Sequence, residues 1–160
     1  MARCFALVPL LFVLFTCSPR TATTDVALHV GVLRSGTPTL TVDQNQAKIL
    51  FQDQFGATDV KDVRVTTERV EGEVTYFLFA EGTKRVDGQA RPTIMRFPTT
   101  VVGRKLILRE TELLGEACVP TGASTCAFTT GGGCQCLDET GAIAEEDFCN
   151  HTVVKGRMSR

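Results

Sequence analysis

Apolar and polar positions alternate in blocks along the chain, and each block predicts an element. DVALHVGVL is rich in Val and Leu and predicts a strand over residues 26–33. SGTP punctuates it, and TLTV at 39–42 predicts a second short strand. Asp43 then has the character of a helix N-cap, whose carboxylate can accept from the unpaired amides of the first turn. Ala47, Leu50, Phe51 and Phe55 follow on one apolar helical face, and Gly56 closes the helix as its C-cap. Beyond Gly56 the period changes to two. VKDVRVTTERV sets Val60, Val63 and Val65 against charged positions. Glu71-Gly72-Glu73 predicts a hairpin turn into GEVTYFLFAEG, a strand bounded by glycines. RPTIMRFPTTVV and, after Gly103, RKLILRETELL predict two more strands.

The order β-β-α-β-β-β-β implies an α+β domain over residues 25–115: one helix packed on an antiparallel sheet of about four to six strands. Arg64, Arg69, Arg104 and Arg109 are expected on the solvated outer face of that sheet.

The first residues have a different design. Arg3 provides a positive start, and residues 4–16 are an almost unbroken apolar run. That run is far shorter than the roughly 20 residues of a membrane-spanning helix. Polar residues follow, so residues 1–22 read as an export signal. Cys17 stands at the end of the apolar run, with Ser18 after it. A lipoprotein-type cleavage before Cys17 would make this cysteine a lipid anchor. Leu14 suits that pattern, whereas Phe15 and Thr16 stand where small residues are expected. An ordinary signal cleaved near Ser18 or Ala22 is the other reading. The expected location is accordingly exported: periplasmic, at the cell surface or secreted, with membrane contact only through such an anchor.

Composition is that of an ordinary globular chain, with no Trp, one Tyr and a formal net charge of −1. A nucleic-acid binder would carry a basic stripe, and none is present. Charge is unevenly placed, however. Residues 110–154 contain no Lys or Arg but hold Glu110, Glu112, Glu116, Asp138, Glu139, Glu145, Glu146 and Asp147. Cys118, Cys126, Cys134, Cys136 and Cys149 fall in the same stretch. Residues 116–160 therefore read as an acidic, cysteine-rich C-terminal module.

No nucleophile elbow, zinc-protease helix, P-loop or dinucleotide fingerprint occurs in the sequence. His29 is isolated in an apolar strand, and Ser35 and Ser124 have no histidine close by. The expectation is a non-enzymatic protein with no cofactor. A helix followed by antiparallel strands also suggests a cystatin-like protease inhibitor as a remote alternative. Thr99-Thr100-Val101-Val102-Gly103 faintly echoes the inhibitory hairpin of that group, but Thr99 replaces its glutamine and the tryptophan loop is absent.

The cysteines carry the main chemical signal. Gly131-Gly132-Gly133 allows a tight reversal between Cys126 and Cys136. In a strand, Cys134 and Cys136 would present both sulfurs to one side, at Cα separations of roughly 6.6 Å. That is the edge of disulfide reach, so each is expected to bond elsewhere or to chelate with the other. A hairpin centred on the glycines sets Cys136 opposite Phe128, with Cys126 diagonal to Cys136. In an exported compartment, disulfides among Cys118, Cys126, Cys134, Cys136 and Cys149 are favoured, giving at most two bridges and one remaining thiol. The alternative is a Zn or iron–sulfur centre on Cys126, Cys134, Cys136 and Cys149, with His151 as an alternative ligand, in a metal-binding or redox protein. The acids between Asp138 and Asp147 lack EF-hand spacing and read as a solvated face. Asn150-His151-Thr152 forms a glycosylation sequon.

CAFTTGGGCQC followed by FCNHTV resembles the C-terminal motif of small uncharacterised bacterial exported proteins and lipoproteins, in which an α+β part precedes a cysteine-rich tail ending Cys-Asn-His-Thr. The resemblance covers mainly residues 118–153, with a looser similarity in YFLFAEG. That family often has a further cysteine about three residues before the position of Cys126, where this chain has Ala123. The resemblance thus implies a third bridge that this chain lacks, and it implies no activity. The combined expectation is an exported, non-enzymatic binding or structural protein whose partner is a protein or envelope component.

Overall fold

The computed structural model describes residues 26–122, 124–130 and 132–156. The expected export signal and the candidate lipid site Cys17 lie outside the described residues. Eleven strands and one α-helix follow in order: β1 (Ala27–Arg34), β2 (Thr37–Leu40), α1 (Gln44–Phe55), β3 (Asp59–Val70), β4 (Glu73–Val86), β5 (Gln89–Pro98), β6 (Thr100–Val102), β7 (Lys105–Arg109), β8 (Leu114–Pro120), β9 (Thr125–Phe128), β10 (Cys134–Leu137) and β11 (Cys149–Lys155). The class is α+β, as the pattern predicts, but the strands divide among three sheets. β11-β8-β5-β4-β3 form a five-stranded antiparallel sheet, β2-β1-β7-β6 a four-stranded one, and β10-β9 a separate hairpin.

Helix α1 begins and ends where the sequence indicates. The Asp43 carboxylate accepts from the Asn45 and Gln46 amides at 2.9 and 3.1 Å. Gly56 takes a left-handed φ of 63° and donates to Gln52 O, a conformation that costs glycine little. Ala47, Phe51 and Phe55 are buried. The Phe97 ring of β5 lies 5.2 Å from both phenylalanine rings, so three aromatic rings join helix to sheet. Gly115 on β8 faces this cluster, where a Cβ would run into the Phe97 and Phe55 rings. Val30, Leu106 and Leu108 of the smaller sheet complete the same core with Val63, Leu78, Ala80 and Met95.

The hairpins follow from local chemistry. Glu71-Gly72 and Asp87-Gly88 both have positive φ at the two turn residues, the mirror-image geometry that matches strand twist. The second turn was hidden because Gly82 looks like a strand boundary. It lies instead inside β4, opposite a bulge in β3 between Val60 and Asp62, where a Cβ would collide with the Asp59 backbone.

The four arginines do not share one face. Arg64 lies on β3, and Arg69 reaches back to Gly72 O at the β3–β4 turn. Arg104 and Arg109 belong to the region of β7, which pairs with β1 rather than with β5. RPTIMRFPTTVV likewise splits at Thr99, leaving β5 in one sheet and β6 in the other.

The C-terminal stretch is joined to the domain by hydrogen bonds. Ile94, Met95 and Arg96 of β5 pair with Cys118, Ala117 and Glu116 of β8, and β8 pairs along its length with β11. Replacing Phe97 by Ala is expected to lower stability by about 3–5 kcal/mol, because the ring fills the gap between helix and sheet. Urea unfolding of the variant beside the parent checks this.

Candidate functional site: a stapled hairpin on the outer face

Strand alternation gives the five-stranded sheet two faces. Leu78, Ala80, Met95, Phe97 and Ala117 point toward α1 and the core. The intervening positions, Phe77, Phe79, Ile94, Arg96, Glu116 and Cys118, point the other way. Their register aligns Phe79 with Arg96 and Arg96 with Glu116 across three strands. The β9–β10 hairpin covers this second face.

Arg96 is the centre of the covered surface. Its side chain is only 4% exposed. Nη1 donates to Glu68 Oε2 and Nε to Glu116 Oε2, both at 2.6 Å. The guanidinium also lies 4.5 Å from the Phe77 ring centre and 4.1 Å from that of Phe128 on β9. A buried guanidinium requires such partners, because an unpaired charge removed from water costs several kcal/mol. Phe128 meets Phe79 edge-on at 6.4 Å, and Arg64 stacks on Phe79 at 4.6 Å while bonding Asp62 and Glu81. Sequence reading passed over Arg96. The available signal was a single charge inside the apolar run TIMRF.

Two disulfides pin the hairpin. Cys134 bonds Cys118 of β8, and Cys136 bonds Cys149 of β11, with Cα separations of 5.8 and 5.4 Å. Residues two apart on β10 share a side, so both sulfurs reach down to neighbouring strands of the same sheet. Neighbouring cysteines thus bond elsewhere, as their spacing suggests. The expected register needs correction, since Cys134 pairs with Phe128 and Cys136 directly with Cys126. Thr129 sets it, donating its amide to Gly133 O and its hydroxyl to Gly132 O, so the loop is longer than the glycines alone imply.

Cys126 is the one cysteine outside a bridge among the described residues. Its Sγ lies 2.8 Å from Cys149 Sγ. Burial pushes its thiol up to about 12. A pocket of about 320 Å³ opens beside it, with Lys61, Glu81 and Ile94 in its walls. The sulfurs of Cys118, Cys126 and Cys149 all fall within 4.8 Å of one another. Of the expected ligand set, Cys134, Cys136 and Cys149 are engaged in bridges, as is Cys118 of this sulfur group. His151 sits opposite Cys118 in the register, with Nε2 3.9 Å from the second oxygen of Glu116.

Several acids do more than face solvent. Asp138 Oδ1 accepts from the Thr140 hydroxyl at 2.7 Å and from the Thr140 and Ala142 amides at 2.8 and 2.9 Å. The Thr140 hydroxyl, followed by the Ala142 amide, holds this carboxyl below the usual aspartate range. Asp147 accepts from the Ser124 amide at 3.1 Å. His29 is also structural: its Nε2 lies 2.8 Å from Gly31 O, across the β1 bulge that buries Val30. Residues 99–103, the segment compared with an inhibitory hairpin, form β6 and its turn into β7.

Against protein-family models, curated proteins and solved structures, the chain finds no match. The resemblance across residues 118–153 rests on its motif.

Truncation of Arg96 to Ala should cost about 3 kcal/mol, since two partly buried carboxylates lose their common partner. Arg96→Lys keeps the charge but not the planar fork, and should be destabilised less. Thermal unfolding of the two variants with both disulfides intact tests this ordering.

Proposed function

We propose that the protein is an exported, non-enzymatic binding or structural module, possessing a cysteine-stapled hairpin that serves as its rigid outer surface and engages a protein or envelope component. The observation that carries this reading is the pair of disulfides joining β10 to β8 and β11. Bridges of this kind persist in oxidising compartments outside the cytoplasm. Among the described residues, no helix is long and apolar enough to cross a membrane. Export by residues 1–22, with or without a lipid on Cys17, would deliver the chain to such a compartment. The hairpin has little apolar material of its own beyond Phe128, so covalent ties and the Arg96 contact hold it in place.

A second reading, metal binding in a reduced form, draws on one observation: the convergence of the Cys118, Cys126 and Cys149 sulfurs. Reduction would free Cys118 and Cys149 to join Cys126 as thiolate ligands, with Cys134 and Cys136 adjacent, a donor set suited to Zn.

Intact mass with thiol alkylation separates the two. The stapled module predicts a loss of four hydrogens, one alkylated thiol after denaturation and no metal adduct. Four or five alkylatable thiols with a metal lost on denaturation would establish the second reading instead. Reduction of the stapled form should lower stability by about 3 kcal/mol per bridge, given short closed loops.

A further inference from the structure

We infer that Cys126 is the attacking thiol of an internal disulfide exchange, with Cys149 as the sulfur attacked and Cys136 as the leaving group. The inference rests on the stapled reading, since it needs the Cys136–Cys149 bridge. Cys126 is part of a five-cysteine cluster with a defined geometry. Its sulfur is in contact with Cys149 Sγ at 2.8 Å, and on the hairpin it is directly opposite Cys136. The sulfurs of Cys126, Cys136 and Cys149 are thus gathered at one bridge.

The step balances without an external oxidant or reductant. A solvent base removes the Cys126 proton. The thiolate attacks Cys149 Sγ, the Cys126–Cys149 bond forms, and the Cys136–Cys149 bond breaks. The electron pair leaves on Cys136 Sγ, which is then protonated. The number of disulfides is unchanged, while the strand tied to β11 changes from β10 to β9. Attack of the Cys126 thiolate on Cys136 Sγ instead would form the cross-strand Cys126–Cys136 bond, expel Cys149 as the leaving thiolate and release β11 from the hairpin, so label on Cys149 would overturn the assignment of Cys149 as the sulfur attacked.

Burial sets the rate. With the Cys126 thiol pushed up to about 12, only a small fraction is thiolate near neutral pH. That fraction, and with it the exchange rate, should rise about tenfold for each unit of increasing pH up to that value. Exchange is consequently slow at neutral pH and speeds up in alkali. The pocket flanked by Lys61 and Glu81 gives solvent a route to the thiol.

The test holds the folded protein in its exported form at a series of pH values between about 5 and about 9, quenches with acid, alkylates under denaturing acidic conditions that stop exchange, and scores label among Cys118, Cys126, Cys134, Cys136 and Cys149. Tandem mass spectrometry then locates the single alkyl group. The expected result is label on Cys126 at low pH, with label on Cys136 growing at higher pH at a rate that rises about tenfold per unit. Label confined to Cys126 at every pH overturns the exchange. Label on Cys134 overturns the assignment of Cys149 as target, because it would mean attack on Cys118. Two or more labelled thiols at the outset would mean that the bridges themselves are missing, a failure of the stapled reading rather than of the exchange. A Cys126→Ser variant provides an independent check: with the attacking thiol removed, the exchange predicts no label on Cys136 at any pH in this range, whereas label on Cys136 that still grows with pH contradicts it.

Discussion

A guanidinium on the outer face of a sheet cannot remain dry without partners, and the covered side of this protein is organised around meeting that requirement. Arg96 draws Glu68 from β3 and Glu116 from β8 toward one point on β5. It also sits between Phe77 and the Phe128 ring that the hairpin brings down from above. Taken apart, each contact is modest, since cation–π contacts amount to about 0.5–2 kcal/mol. Together they give the hairpin a fixed seat, because Phe128 loses its partner if the hairpin shifts. The disulfides then act on a geometry that is already favoured. Both bridges run from the same side of β10 to adjacent strands, so they resist sliding and lifting alike.

The opposite face uses different physics. Phe51, Phe55 and Phe97 exclude water through apolar area and ring packing, and Gly115 leaves room for them by having no side chain. The sheet is thus sealed by an aromatic core on one side and by a polar, cross-linked hairpin on the other. A chain of this size gains from that division. Its apolar residues are concentrated where the helix can cover them, and the C-terminal residues, poor in apolar side chains, are held by covalent bonds. The Cys126 thiol, outside both bridges, touches the Cys149 sulfur of one of them.

Much of the inner face was legible from sequence. Asp43, Gly56 and the Ala47–Phe51–Phe55 stripe are local signals, and they place α1 to the residue. Sheet membership was less accessible. β7 leaves its neighbour in sequence to pair with β1, a choice made by tertiary packing rather than by any residue in RKLILR. Gly82 misled because a glycine that ends a strand and one that accommodates a bulge look alike in a single sequence. The cysteine count led to two bridges and one thiol, but connectivity depends on hairpin register. That register turns on Thr129, two residues before the first of the three glycines. Arg96 was missed for a related reason. Its partners Glu68 and Glu116 are far from it in sequence, and only strand order brings them together.

The central claim is that the Arg96 contact seats the hairpin and that the disulfides secure a seat already made. Amide hydrogen exchange of β9 and β10, compared between the parent and an Arg96→Met variant with both bridges intact, tests it most directly. The account predicts faster exchange throughout residues 125–128 and 134–137 in the variant, with protection retained at the centre of the β4–β5 pairing. Unchanged protection in the hairpin would contradict it, and would assign the hairpin's placement to the disulfides alone.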